Sequence, residues 1–112
     1  METVYMLVNN QAWNGPIVGK FTPGKKWMLI FLSGSAWSHA GGTIGVELHL
    51  NGVPILQSTT FTNEAGSHKT LIPTNFYYQS TYEEEVNFAI VPLGNTVIDF
   101  NDRFNLTVTV FQ

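Results

Sequence analysis

Cysteine is absent from the 112 residues. That excludes a disulfide-stapled mini-domain and any Cys-ligated zinc or iron–sulfur module. Positive charge is scarce. Lys and Arg number 5 against 8 Asp and Glu, a formal net charge of −3. Binding nucleic acid requires clustered Lys and Arg to neutralise phosphates, so no nucleic-acid partner is expected. Long hydrophobic runs are also missing. The longest, Trp27–Leu32, is far short of a membrane span, and no membrane insertion is expected. Met1-Glu2-Thr3 begins acidic and leads into alternating residues, without the basic start of a secretion signal. Synthesis in the cytoplasm follows as the expectation. Finally, no segment repeats apolar residues with the helical period, which removes the helical fold classes.

Charge of either sign is thin. Charged residues are 12% of the chain, against roughly 25% in an average soluble domain. Hydrophobic residues are 44% and aromatics 13%, enough apolar surface to offset ordering entropy, so disorder is excluded. A folded monomer of this mass exposes on the order of 6,000 Å². So few ionic groups cover that area sparsely, as in a subunit whose faces are hidden by sister copies. The plainer alternative is a neutral, Thr/Asn-rich β-protein that is simply soluble.

What is present is a period of two. Val4, Met6 and Val8 alternate with their neighbours over 2–8, and Ile17–Phe21 forms a second short strand. Trp27–Leu32 is apolar on both faces, as expected of a central strand covered on both sides, or covered once by the core and once by another subunit. Thr43–Leu50 and Val53–Phe61 flank Asn51-Gly52, whose tolerance of positive φ suits a two-residue hairpin turn. Pro54 then pairs with His49 at a position where its missing N–H points to a sheet edge or a bulge. Further strands are expected over 67–73, 86–91, 96–100 and 104–111, with loops over 33–42 and 74–84. The expectation is one domain over 1–112: an all-β, antiparallel β-sandwich of jelly-roll type with eight or nine short strands.

No catalytic set emerges. Glu64, Ser67 and His68 lie close in sequence, but strand neighbours point to opposite faces and no nucleophile elbow is present. Three histidines, His39, His49 and His68, lack metal-ligand spacing, although Glu47 and His49 share one strand face. Asp99, Asn101 and Asp102 gather oxygen donors of the kind calcium takes, but far more commonly such side chains form an Asx turn that binds its own backbone. No cofactor is expected. Sugar binding is better served. An aromatic face takes the sugar's C–H surface while Asn, Asp and Ser take its hydroxyls. Trp13 with Asn14, Trp37 with His39, and Tyr77 with Tyr78 all sit in polar surroundings, and the same aromatics also suit a subunit interface. Asn105-Leu106-Thr107 is a glycosylation sequon inside an expected strand, hence incidental. Glu83-Glu84-Glu85 reads as a solvated loop tip.

Gly34-Ser35-Ala36-Trp37, Gly42-Thr43-Ile44-Gly45, Asn51-Gly52, Asn63-Glu64-Ala65-Gly66-Ser67-His68 and Asp99-Phe100-Asn101-Asp102 with Phe104-Asn105 and Thr107-Val108 together resemble a pattern in small bacterial and bacteriophage jelly-roll proteins. The pattern is similar to the tumour-necrosis-factor/complement-C1q type of sandwich. The resemblance implies a homotrimer used in attachment or particle assembly, and assigns no catalytic residues. The resulting expectation is a non-enzymatic subunit of a virion or tail-like particle, contacting other particle proteins and found in the virion or outside the cell after lysis. The alternative is a lectin-like module that binds a cell-surface glycan.

Overall fold

Residues 2–111 are described by the computed structural model. Eleven strands are present among them: β1 (Glu2–Ala12), β2 (Ile17–Phe21), β3 (Trp27–Ser33), β4 (Ser35–Ser38), β5 (Gly42–Leu50), β6 (Val53–Thr62), β7 (Lys69–Thr70), β8 (Thr74–Gln79), β9 (Val86–Pro92), β10 (Thr96–Val97) and β11 (Arg103–Phe111). They build two four-stranded sheets, ordered β1-β11-β3-β8 and β2-β9-β5-β6, and a small ladder β10-β4-β7. Every pairing is antiparallel. The architecture is an all-β sandwich of jelly-roll type.

Alternation places the core. Met28, Ile30 and Leu32 from β3 and Phe104, Leu106, Val108 and Val110 from β11 are buried. They belong to the same core as Ile44, Val46, Leu48 and Leu50 from β5 and Val86, Phe88 and Ile90 from β9. The intervening residues of β3, Trp27, Leu29 and Phe31, take the opposite face, as the doubly apolar run requires. Gly34 has a steric role at the β3–β4 corner. A Cβ there would overlap the Phe104 ring, so only glycine lets this buried aromatic close the end of the core.

The expected hairpin forms, with Asn51 at φ 50° and Gly52 at φ 79°. Pro54 pairs with His49 on the edge strand β6, beside a register shift between Leu48 and His49. Other boundaries differ from expectation for identifiable reasons. In β1, Val4 and Met6 are exposed while Val8 is buried, because a register shift between Met6 and Val8 turns the strand over. The expected loops conceal β4 and β8, which lack apolar alternation and owe their pairing to neighbouring backbone. The expected strand over 67–73 shrinks to β7. Beyond it, the Leu71 N–H donates to the Gly34 carbonyl and the Ile72 N–H to the Thr59 carbonyl, so the segment ties the β3–β4 corner to β6. The expected strand over 96–100 stops at Val97, where the Asp99 turn begins.

Candidate functional site at the β10–β11 end

The C-terminal end of β1, the C-terminal end of β3 and the start of β11 meet at one end of the sandwich, since Ala12 pairs with Arg103 and Ser33 with Asn105. The turn over 98–102 joins β10 to β11 there. Its own side chains pin it. Asp99 Oδ1 accepts the Asn101 N–H at 2.8 Å, and Asp102 Oδ2 accepts the Asp99 N–H at 3.0 Å. The Asp102 N–H donates to the Asp99 carbonyl at 2.9 Å. The first is an Asx-turn bond, a common use of such a residue in a tight loop, and the last is the backbone bond that closes the turn.

Each face of the turn carries an aromatic partner. Phe100 meets Trp13 edge-on, with ring centroids 6.1 Å apart. Both remain open to solvent, Trp13 at 53% and Phe100 at 61% exposure. Beside Trp13 lies a shallow cavity of about 220 Å³, lined by Gln11, Trp13, Pro16, Ile17 and Val18. That volume is below the ~300–1,000 Å³ of enclosed small-molecule pockets, and suits a single ring laid against Trp13. Asn14 is exposed next to it. Asp99 anchors Trp37 on the other side, its Oδ2 accepting the indole Nε1–H at 3.0 Å. His39 packs edge-on against Trp37 at 4.7 Å, and His68 lies 5.8 Å from the same ring.

Under the turn sits a buried carboxylate. Asp102 has 0% exposure, and its Oδ1 accepts from the Ser35 hydroxyl at 2.8 Å and contacts His68 Nδ1 at 2.7 Å. His68 Nε2 lies 3.9 Å from Asp99 Oδ2. His68 is held above the ordinary imidazole value, chiefly by its hydrogen bond to Asp102, with the Asp102 and Asp99 charges adding to it against a desolvation cost. Among the described residues, His68, Asp99 and Asp102 each bring one nitrogen or carboxylate oxygen within 4.8 Å of the others. The carboxylate oxygens are already engaged by backbone, hydroxyl, indole and imidazole donors. Asn101 contributes its backbone N–H to the turn.

The sequence-derived ligand residues separate into distinct places. Trp13 meets the 98–102 turn at Phe100 and Trp37 meets it at Asp99, with His39 packed on Trp37, while Asn14 is exposed beside Trp13 in the chain. Tyr77 and Tyr78 lie on β8, the opposite edge of the sheet from β1. Tyr77 packs with Trp27 at 6.5 Å and Phe111 at 6.0 Å on the outer sheet face. Tyr78 packs partly into the core, and with it Tyr82, whose hydroxyl is pushed up mainly by burial and next by its bond to Tyr78. Glu47 and His49 share a face and touch at 2.7 Å, while Glu47 Oε2 accepts from Gln57 at 2.8 Å. Phe100 was not singled out from sequence. Only its place between two acidic turn residues, where an aromatic has no strand to pack in, would have signalled it. The sequon residue Asn105 accepts the Asn10 N–H with its Oδ1 at 2.9 Å.

No protein-family model and no curated protein matches the chain. Solved structures do resemble it. Dimeric latent PorU from Porphyromonas gingivalis aligns over 97% of this chain and 12% of its own at a TM-score of 0.56 and 15% identity. The globular domain of zebrafish complement 1qA aligns over 98% of this chain and 93% of its own, at 0.52 and 12%. The carbohydrate-binding module CBM36 in complex with calcium and xylotriose aligns over 100% and 99%, at 0.47 and 11%. The first two likenesses place the chain in the class of jelly-roll β-sandwiches. The chain spans only a small part of PorU, and it spans nearly the whole complement 1qA domain.

Proposed function

We propose that the chain is a non-catalytic, lectin-like recognition module whose ligand face is the Trp13–Phe100 ledge and the adjoining Trp37–His39 side of the 98–102 turn, taking a cell-surface glycan. One observation carries this reading. The carboxyl groups of the turn are held by its own backbone and by Ser35, Trp37 and His68, yet Trp13 and Phe100 stay mostly exposed, Trp13 beside a ring-sized cavity. Exposed aromatics on a rigid support have little conformational entropy left to lose on binding, and flat rings suit the C–H face of a sugar. Gln11, in the lining of that cavity, supplies an amide for hydroxyls. Carbohydrate-binding modules among the similar structures share the general fold, and the reading rests on the turn and its aromatics. A glycan array tests it: the wild type binds at least one glycan and Trp13→Ala loses that signal. An array with no signal, or binding unchanged in Trp13→Ala, contradicts it.

A second reading concerns assembly, and a specific surface favours it. On the outer face of the β1-β11-β3-β8 sheet stand Val4, Met6, Leu29, Phe31, Trp27 and Tyr77, with Val4, Met6, Trp27 and Tyr77 all exposed. This apolar face suits sister copies in a homo-oligomer, a trimer by resemblance to the complement-C1q type. A trimer of this kind would serve as a structural or attachment subunit of a virion or tail-like particle, its loop end meeting a glycan or other particle proteins. Light scattering checks it. A mass several times 12.5 kDa that falls to one protomer in Phe31→Lys supports the reading, and a monomer at every dilution contradicts it.

A further inference from the structure

The Asp102 carboxyl group is wholly buried. A buried charge is tolerated only with hydrogen bonds and a counter-charge. Ser35, His68 and the Asp99 backbone supply the bonds. His68 is the one group among them able to carry positive charge. The neighbouring cations are committed elsewhere: Lys69 pairs with Glu64, and Arg103 donates to the Asn10 carbonyl at 2.8 Å. His39 stands across the Trp37 ring from this cluster. His68 therefore faces Asp102 at 2.7 Å and Asp99 at 3.9 Å, both on the 98–102 turn, while it belongs to the segment leading into β7. One proton on this imidazole ties the turn to the β4–β7 ladder.

We propose that His68 and Asp102 form a pH-sensitive latch, in which protonated His68 holds the 98–102 turn closed and loss of that proton loosens the turn together with Phe100 and Trp37. With His68 neutral, no cation stands between the Asp102 and Asp99 carboxyl groups, and the attraction that draws the turn onto the imidazole is lost. The sign follows from linkage. His68 binds its proton more tightly in the folded chain, so the latch is fully set below the ordinary imidazole value of 6.5. It is released as the pH rises through the higher folded value. Control of ligand binding by the latch rests on the recognition reading above. The latch itself is a property of the free protein.

Two-dimensional NMR of the intact wild-type chain, titrated from mildly acidic to mildly alkaline pH, tests it. The His68 ring resonances titrate above the ordinary histidine value. The Phe100, Asn101 and Asp102 amides and the Trp37 indole N–H shift with that same midpoint, and their hydrogen exchange, corrected for its intrinsic pH dependence, speeds up several-fold above it. His39→Gln keeps the transition and His68→Gln abolishes it. A His68 midpoint at or below the ordinary value, or turn resonances that ignore it, overturns the latch. Because the wild-type titration decides by itself, a His68→Gln chain that fails to fold leaves the test intact. A silent glycan array would remove the recognition reading and leave this result standing, while a silent titration would do the reverse.

Discussion

Two histidine–carboxylate pairs in this molecule have the same contact distance and different surroundings. His68 meets Asp102 at 2.7 Å, and His49 meets Glu47 at 2.7 Å. Asp102 is sealed beneath a turn, where its partners are fixed by the fold. Glu47 stands on a sheet face with Gln57 as a second donor and some access to water. In the first pair His68 holds its proton more tightly than an ordinary imidazole. In the second Glu47 is held below its ordinary value, first by the Gln57 hydrogen bond and then by His49. Burial, more than separation, decides whether such a pair is structural or incidental.

Removing each carboxylate is the sharpest way to break this comparison. Asp102→Ala strips the acceptor from Ser35, His68 and the Asp99 N–H, and is expected to cost about 3–5 kcal/mol in urea unfolding. Glu47→Ala leaves donors that reach water, and is expected to cost about 1 kcal/mol or less. Equal losses would show that the turn is less sealed than its geometry implies.

Next in size is the response to pH, where the pairs fail at opposite ends. The His68 contribution is complete below 6.5 and disappears as pH rises through the folded value. The Glu47 contribution is complete above its ordinary value of 4.5 and disappears as pH falls through its lower folded value. Melting curves of His68→Gln should lose the alkaline slope and keep the acid one, and those of Glu47→Gln the reverse. A single variant flattening both ends would mean that the two clusters are not independent.

Much of this was legible in the residues. The period of two, the Asn51-Gly52 turn and the doubly apolar Trp27–Leu32 run lead directly to the sandwich, because alternation is the physical cause of one-sided burial. β4 and β8 were not legible, since their side chains carry no such pattern and backbone pairing with distant strands makes them strands. The site was partly legible. Trp13 and Trp37 stand out by polar surroundings, and Asp99-Phe100-Asn101-Asp102 by turn chemistry. Their meeting was not, because it depends on β1 and β11 pairing across almost the full length of the chain. The pairing of His68 with Asp102 is of the same long-range kind.

The smallest stability effect belongs to the ligand ledge. Trp13→Ala removes an exposed ring, so stability should change by no more than about 0.5 kcal/mol. Glycan affinity should nevertheless fall about 5–30-fold, the range of an aromatic anchor worth about 1–2 kcal/mol. A large loss of stability would instead make Trp13 a structural residue of the end cap.

The most direct measurement is an amide chemical-shift map of the wild-type protein titrated with the oligosaccharide that gives the strongest array signal. The account predicts saturable shifts centred on Trp13, Phe100 and Trp37, with the outer face of the β1-β11-β3-β8 sheet unchanged. Shifts confined to that sheet face, or none at any accessible concentration, would contradict it.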